Sequence, residues 1–414
     1  RAGDCQPPAG RDKPLSRVKD GLMGGKFDIG GGARAAFFAL LPATAAAGAM
    51  AIPALLAAAG ALSFRPSLVR QSLESKALWV LLLLAFTAWA AASTAWSSYA
   101  DHAQAPKFAA TIVLGLLFAA GASVNSESRG LTCAAALAAF VVLALLLAVE
   151  ALGRLPLNRA MQPAQIYWLI ERNPARGVVV LLGFVWPIAG AALGAGRPQL
   201  AMAALFVGGF FAFQFDQAAN VVAYGFGLGG FILACMAPRF AILLVSGGLA
   251  AWMLAAPFAT PLLLANQALL DRLPPSLAAR AGIWDYVCQR IAEQPWIGRG
   301  LDASRTVTDT IIVRGAEMPA IQLHPHSASL QIWFETGLVG AALAALAILA
   351  GGWAASRALA RRPFAAAGAC ATLAAYGLIA NVSFGAWQEW WNASMLLAGA
   401  VASAYATQAL RDGR

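Results

Sequence analysis

Charge is what this sequence lacks most. Only 12% of its 414 residues are Asp, Glu, Lys or Arg, while 60% are hydrophobic, against about 25% charged in an ordinary soluble domain. That deficit excludes a soluble globule, because no core of this size hides so much apolar surface. Histidine is sparse too, with three residues, and the five cysteines, Cys5, Cys133, Cys235, Cys288 and Cys370, show no paired spacing. Neither a disulfide framework nor a zinc site is built from such a set, so no metal and no cofactor is expected. A fixed-period repeat and the paired broken helices of secondary transporters are also missing. Residues 1–34 hold seven Lys/Arg and four Asp without an apolar centre or a small-residue cleavage site. They read as a disordered cytoplasmic tail and not as a signal peptide.

What is present is a succession of apolar runs, each long enough to cross roughly 30 Å of hydrocarbon, and a mean hydropathy of +0.67. Segments such as 77–96 and 131–151 are apolar on every face, which favours helices over the alternating strands of a barrel. The fold class expected is all-α, a polytopic membrane bundle. Spans are placed at 77–95, 107–123, 131–152, 177–195, 200–215, 218–237, 240–258, 330–352, 364–383 and 390–409. Residues 35–64, with Pro42 and Pro53, form either one long kinked span or a hairpin of two.

The net charge of +10 does not indicate nucleic acid, because the basic residues sit between spans as topology signals. Arg65, Arg70, Lys76, Arg129, Arg197, Arg239, Arg357, Arg361 and Arg362 fall on one side, with Arg411 and Arg414 in the tail, whereas 96–106, 216–217 and 384–389 hold no Lys or Arg. By the positive-inside rule the first side is cytoplasmic, and only a hairpin at 35–64 puts the basic leader there as well. The resulting layout has about twelve spans with both termini inside. Residues 35–258 carry spans one to nine and a periplasmic loop at 153–176, 259–329 form a long periplasmic loop with short amphipathic helices, and 330–414 carry the last three spans and a short cytoplasmic tail.

The two long outer loops hold the residues able to do chemistry. Arg172 and Arg176, around Asn173-Pro174-Ala175, place cations where the charge rule disfavours them. Such guanidiniums match phosphate oxygens, or else snorkel to lipid phosphates. Pro274-Pro275-Ser276 followed by Leu277, Ile283, Trp284, Val287 and Ile291 reads as a capped amphipathic helix lying on the membrane and ending before Pro295. Arg280, one turn in, stands near its positive end and suits an anion. Gly298-Arg299-Gly300 reads as a hinge that brings backbone close to a ligand. His324-Pro325-His326-Ser327 sits at the outer boundary of the span that follows, where histidine takes a proton from a hydroxyl or polarises a phosphate, or merely caps a helix. Glu335 costs about 2.5 to 3.5 kcal/mol if centred in lipid. It should therefore face the bundle or lie near the interface, orienting His326, binding a substrate hydroxyl or bonding between helices. Lys107 at the outer end of its span adds a cation or snorkels.

The pattern Arg280-x-x-Ile283-Trp284, Pro295-x-x-Gly298-x-Gly300, then His324-Pro325-His326-Ser327-x-x-Leu330-Gln331-x-Trp333-x-Glu335-x-Gly337-x-x-Gly340 resembles the core signature of the O-antigen ligase and O-antigen polymerase family. Trp96-Ser97 and Ala386-Trp387-Gln388-x-Trp390-Trp391 extend the resemblance. The resemblance implies a bacterial inner-membrane glycosyltransferase with a periplasmic active site. Such an enzyme transfers a glycan from undecaprenyl pyrophosphate to a sugar hydroxyl of the lipid A core or another glycan acceptor, inverting and metal-independent. His326 then matches the catalytic histidine, Arg280 the long-loop phosphate arginine, and Arg176 the other, with Arg172 as the alternative. His324, Lys107, Arg172 and Glu335 join as substrate or pyrophosphate ligands. Ser327 departs from the Asn that many members carry there. A polymerase or a protein O-oligosaccharyltransferase of the same family shares the signature. A transporter for an anionic glycolipid is the reading from another class, and it calls for cations deep in several spans.

Overall fold

The computed structural model describes residues 28–67, 77–124 and 128–411. Arg70, Lys76, Arg414 and residues 1–27 of the expected tail lie outside them. In chain order the elements are α1 (Ile29–Ala46), α2 (Ile52–Leu62), α3 (Leu78–Ala92), α4 (Gln104–Val124), α5 (Arg129–Leu152), α6 (Pro156–Met161), α7 (Tyr167–Gly194), α8 (Pro198–Ala212), α9 (Ala218–Met236) and α10 (Pro238–Leu264). Then come α11 (Gln267–Arg272), α12 (Pro275–Glu293), the antiparallel ribbon β1 (Thr310–Val313) and β2 (Ala316–Pro319), α13 (Ala328–Ala358), α14 (Pro363–Val382) and α15 (Glu389–Arg411). Among the described residues nine helices are long and apolar enough to cross a membrane, and α2 and α8 are shorter apolar helices. Many of their large apolar side chains are exposed, Phe206 and Leu262 among them, as a lipid-facing surface requires.

Some helix boundaries differ from the sequence reading. The first helix begins at Ile29, so residues 29–34 leave the expected tail. Arg34 is buried and donates to the hydroxyls of Ser63 at 2.9 Å, Ser128 at 2.6 Å and Thr132 at 3.3 Å, with Asp28 3.8 Å away. Its charge thus belongs to a knot that ties α1, α2 and α5 together at one face. Residues 35–64 are two helices joined at 47–51, a hairpin. The outer loop expected at 153–176 is shorter, because α7 starts at Tyr167 and runs through Pro174 and Pro187. Prolines are tolerated inside membrane helices where neighbours repack around the freed carbonyl.

α7 is buried on all sides from Val178 to Ala189, the signature of a central helix. Small residues let its neighbours close in: a Cβ on Gly190 would meet the Phe364 carbonyl oxygen at 2.3 Å, and one on Gly227 would meet the Trp186 ring at 2.4 Å. A second apolar cluster gathers Phe86, Phe108, Trp333 and Trp387 around the outer half of α13, with Trp387 stacked on Phe86 at 5.9 Å.

α13 is broken at Gly337, whose φ of 66° and ψ of −166° belong to a region essentially reserved for glycine. The segment 295–300 fills the break. Arg299 N–H donates to the Phe334 carbonyl at 2.9 Å and Gly300 N–H to the Glu335 carbonyl at 2.7 Å. In return Leu338 N–H donates to the Pro295 carbonyl at 2.8 Å and Val339 N–H to the Trp296 carbonyl at 3.3 Å. The glycines at 298 and 300, expected to bring backbone near a ligand, instead bring it against another backbone: a Cβ on Gly298 would sit 2.5 Å from the Glu335 carbonyl carbon. Gly337→Ala meets the Trp296 carbonyl oxygen at 2.3 Å, so it should cost roughly 3 kcal/mol or more. It should show as a fall in the unfolding temperature of purified protein in detergent, whereas Gly399→Ala, with nothing within 4 Å, should leave that temperature unchanged or slightly raised.

Candidate active site

The segment His324 to Ser327 crosses the outer end of the bundle and opens α13, where the Ser327 side chain accepts from Leu330 N–H. His326 holds a φ of 59°, uncommon for a residue with a side chain. Three contacts fix it there. Its own N–H donates to His324 Nδ1 at 3.1 Å, its Nδ1 lies 2.8 Å from the Ser383 carbonyl, and the Pro325 carbonyl accepts from Trp284 Nε1–H at 2.9 Å. A carbonyl only accepts, so Nδ1 carries the proton and Nε2 of the neutral ring keeps the lone pair. Burial pushes the His326 imidazole below the usual histidine range, and the cations Arg280 and Arg172 push it the same way against the lift from Ser383. A neutral ring with a free Nε2 is a base.

His324 packs against His326 with ring centroids 4.4 Å apart. Burial first, then His326, Arg305 and Arg280, press its imidazole down to about 3. Accepting at Nδ1 leaves its one proton on Nε2. The Gln388 amide sits 3.2 Å from that nitrogen with its Oε1 buried and unpartnered. Turned so that Oε1 faces Nε2–H, the amide satisfies both groups. His324 therefore acts as a neutral prop.

Arg172 and Arg176 stand one turn apart on α7, which brings both to the site from a helix and not from a loop. Arg172 lies over the Trp168 ring at 4.5 Å and Arg176 over Trp390 at 5.5 Å. Arg280 is half-buried on α12, where burial lowers its guanidinium from the ordinary arginine value. None of the three makes an ion pair among the described residues. α12 covers Pro275–Glu293, ending before Pro295 as the sequence indicates. Its start is not capped by a Ser276 side chain, since Pro274 takes the cap position. Its apolar face, Ile283, Val287 and Ile291, is buried against the protein.

Glu335 is completely enclosed. One oxygen accepts from Asp302 N–H at 2.6 Å and Trp387 Nε1–H at 2.5 Å, and the other from the Ser304 hydroxyl and from Gln331 Nε2 at 3.1 Å. Its acceptor capacity is filled by protein, and it makes no hydrogen bond to His326. The carboxylate clamps the 302–304 turn and the α14–α15 connection onto α13. Lys107 is exposed and pairs with Glu389 at 3.5 Å.

A cleft of about 350 Å³ opens beside His324, lined among others by Lys107, Arg176, His324, Gln331, Trp387 and Gln388, whereas His326, Arg172 and Arg280 are not among its lining residues. Tyr99, Asp101, Gln104, Asp302 and Arg305 line it as well. No motif pointed to these five, because each is a single polar residue in a segment without pattern. Ser383, whose carbonyl sets the His326 tautomer, carries no signal in sequence at all. Among the described residues no group of His, Cys, Asp and Glu is arranged to hold a metal ion.

The chain is 32% identical over 182 residues to a Rickettsia bellii protein named "Putative polysaccharide ligase", a match covering 42% of this chain and 44% of that one. Proteins of the same name from Rickettsia conorii, 32% identical over 181 residues (41% and 43%), and Rickettsia typhi, 30% over 186 residues (42% and 44%), match similarly. These relatives bear the name of glycan-joining enzymes. The match spans less than half the length of each. No protein-family model matches the chain, and no solved structure matches it.

With three histidines in the chain, selective ¹⁵N-imidazole labelling gives a resolvable titration. His326 should titrate below 6.5, the ordinary value, and His324 near 3. Arg280→Gln removes a like charge and should move the His326 midpoint upward; a midpoint that stays put would show that Arg280 does not face the ring.

Proposed function

We propose that the chain is an inner-membrane glycosyltransferase that transfers a glycan from a polyprenyl pyrophosphate, undecaprenyl pyrophosphate in bacteria, to a sugar hydroxyl of the lipid A core. The observation that carries this reading is a histidine with a free Nε2 lone pair set beside arginines that lack carboxylate partners. Nε2 of His326 takes the hydroxyl proton as the oxygen attacks the anomeric carbon. The bond from that carbon to the pyrophosphate oxygen breaks, and the leaving group departs with the electron pair. Attack opposite the leaving group inverts the anomeric centre. Arg280, with Arg176 and Arg172, meets the charge that develops on the pyrophosphate, the point at which electrostatic stabilisation counts most. Lys107 serves at the rim and His324 props the base. Glu335 is a positioning residue in this scheme, because its oxygens are occupied.

The names of the relatives support a glycan ligase. The clustering of the arginines at one face supports an enzyme over a transporter, which needs cations along a path through the membrane. Counting α2, α8 and α15 with the nine longer helices gives twelve crossings, with the histidines on the periplasmic side.

In cells lacking the protein, a lipopolysaccharide ladder gel should show capped chains restored by the unaltered chain. Restoration should fall about 10²- to 10⁴-fold with His326→Ala, the range for loss of a general base, and strongly with Arg280→Ala, with full-length lipid-linked glycan accumulating. Failure of long glycan to form on the carrier would make the protein a polymerase, and full complementation by both variants would discard the site.

A further inference from the structure

The cleft beside His324 carries six charged side chains, and their pairing is uneven. Lys107 is matched to Glu389 at 3.5 Å, and Arg305 to Asp302 through its Nε at 3.1 Å. That leaves Arg176 and Asp101, both lining the cleft, as the two charges without an ionic partner. Arg176 stands over the Trp390 ring. Asp101 is exposed, and its Oδ1 accepts the Ala103 N–H at 2.9 Å, while among the described residues its second oxygen has no protein donor. Tyr99 and Gln104 flank Asp101 in sequence and line the cleft with it, and Arg305 lies over the Tyr99 ring at 5.7 Å while paired with Asp302. Asp302 feels both Asp101 and Glu389 strongly enough that, with burial first, its carboxyl is lifted above the usual range despite Arg305. By formal charge the Asp101 wall holds two carboxylates, Asp101 and Asp302, against one cation, Arg305. An aromatic ring, a primary amide and a carboxylate with a free oxygen are the groups that hold a sugar ring and its vicinal hydroxyls, and that repel a phosphate.

The geometry points to a division of the cleft, which rests on the function proposed above. The Arg176 end takes the pyrophosphate, and the Asp101 side takes an acceptor sugar that bears no phosphate or carboxylate. Asp101 acts as a specificity residue, accepting hydroxyl or ammonium hydrogens of the acceptor and excluding anionic sugars. In this division proton transfer stays with His326, and Asp101 takes no part in it.

The test uses the full chain in lipid nanodiscs and saturation-transfer NMR with two probes, maltotriose and its 6-phosphate, in saturating inorganic pyrophosphate so that the arginine end is filled. The unaltered protein should bind maltotriose at least roughly fivefold more tightly than the phosphorylated sugar, the discrimination that one partly screened charge contact supplies. Asp101→Asn keeps the Ala103 contact and should shrink that ratio toward one, and Asp101→Lys should reverse it, both with pyrophosphate binding unchanged. Equal or tighter binding of the phosphorylated sugar by the unaltered chain, a ratio unmoved by either variant, or no binding of either sugar would overturn the division. Loss of pyrophosphate binding itself, or its persistence in Arg176→Ala with Arg280→Ala, would strike instead at the function on which the division rests.

Discussion

The exchange of backbone hydrogen bonds between the break in α13 and the segment at 295–300 is the constraint on which the rest of the outer face depends. A helix opened at Gly337 exposes donors and acceptors that lipid cannot satisfy. The four bonds to 295–300 close that gap, and in doing so they fix the exit of α12 and the turn at 302–304. Glu335, two residues before the break, completes the junction by collecting four donors from three separate segments. Breaking a buried carboxylate away from such a set costs more than any single bond suggests, because a bare charge is left behind.

From that junction outward the site assembles from four directions. α13 begins with the histidines, α12 reaches them through Trp284 and presents Arg280, α7 presents Arg172 and Arg176, and the end of α14 supplies the Ser383 carbonyl. The cations and the base therefore sit on packed helices or on a segment pinned to them, the condition for holding groups in place while charge moves. The strained φ of His326 is tolerated because its contacts over-determine it.

Much of this was legible in the chain. The apolar runs and their basic connections gave the helical bundle, and α12 ended ahead of Pro295 as expected. The His324 to Ser327 motif opened a long helix. What stayed hidden depends on contacts far apart in sequence. Glu335 has donors at 302, 304, 331 and 387, so no local pattern separates a substrate ligand from a clamp. Arg34 looked like part of a basic leader because its three hydroxyl partners lie 29, 94 and 98 residues away. Pro174 suggested a loop, yet α7 passes through it, since in a packed bundle proline weakens a helix without ending it. The glycines at 298 and 300 correctly signalled close approach, but nothing local says whether a ligand or a second backbone arrives.

The pairing of the two imidazoles limits where a proton can travel. His324 stays uncharged across the working range, and Nδ1 of His326 faces a carbonyl that already holds its hydrogen. Among the described residues no inward relay runs through these two rings, so a proton taken up at Nε2 leaves on the side that the substrate occupies. Under the proposed chemistry the departing diphosphate is the nearest acceptor on that route. Resetting the base and clearing the arginines then become a single event, in which the proton leaves together with the anion.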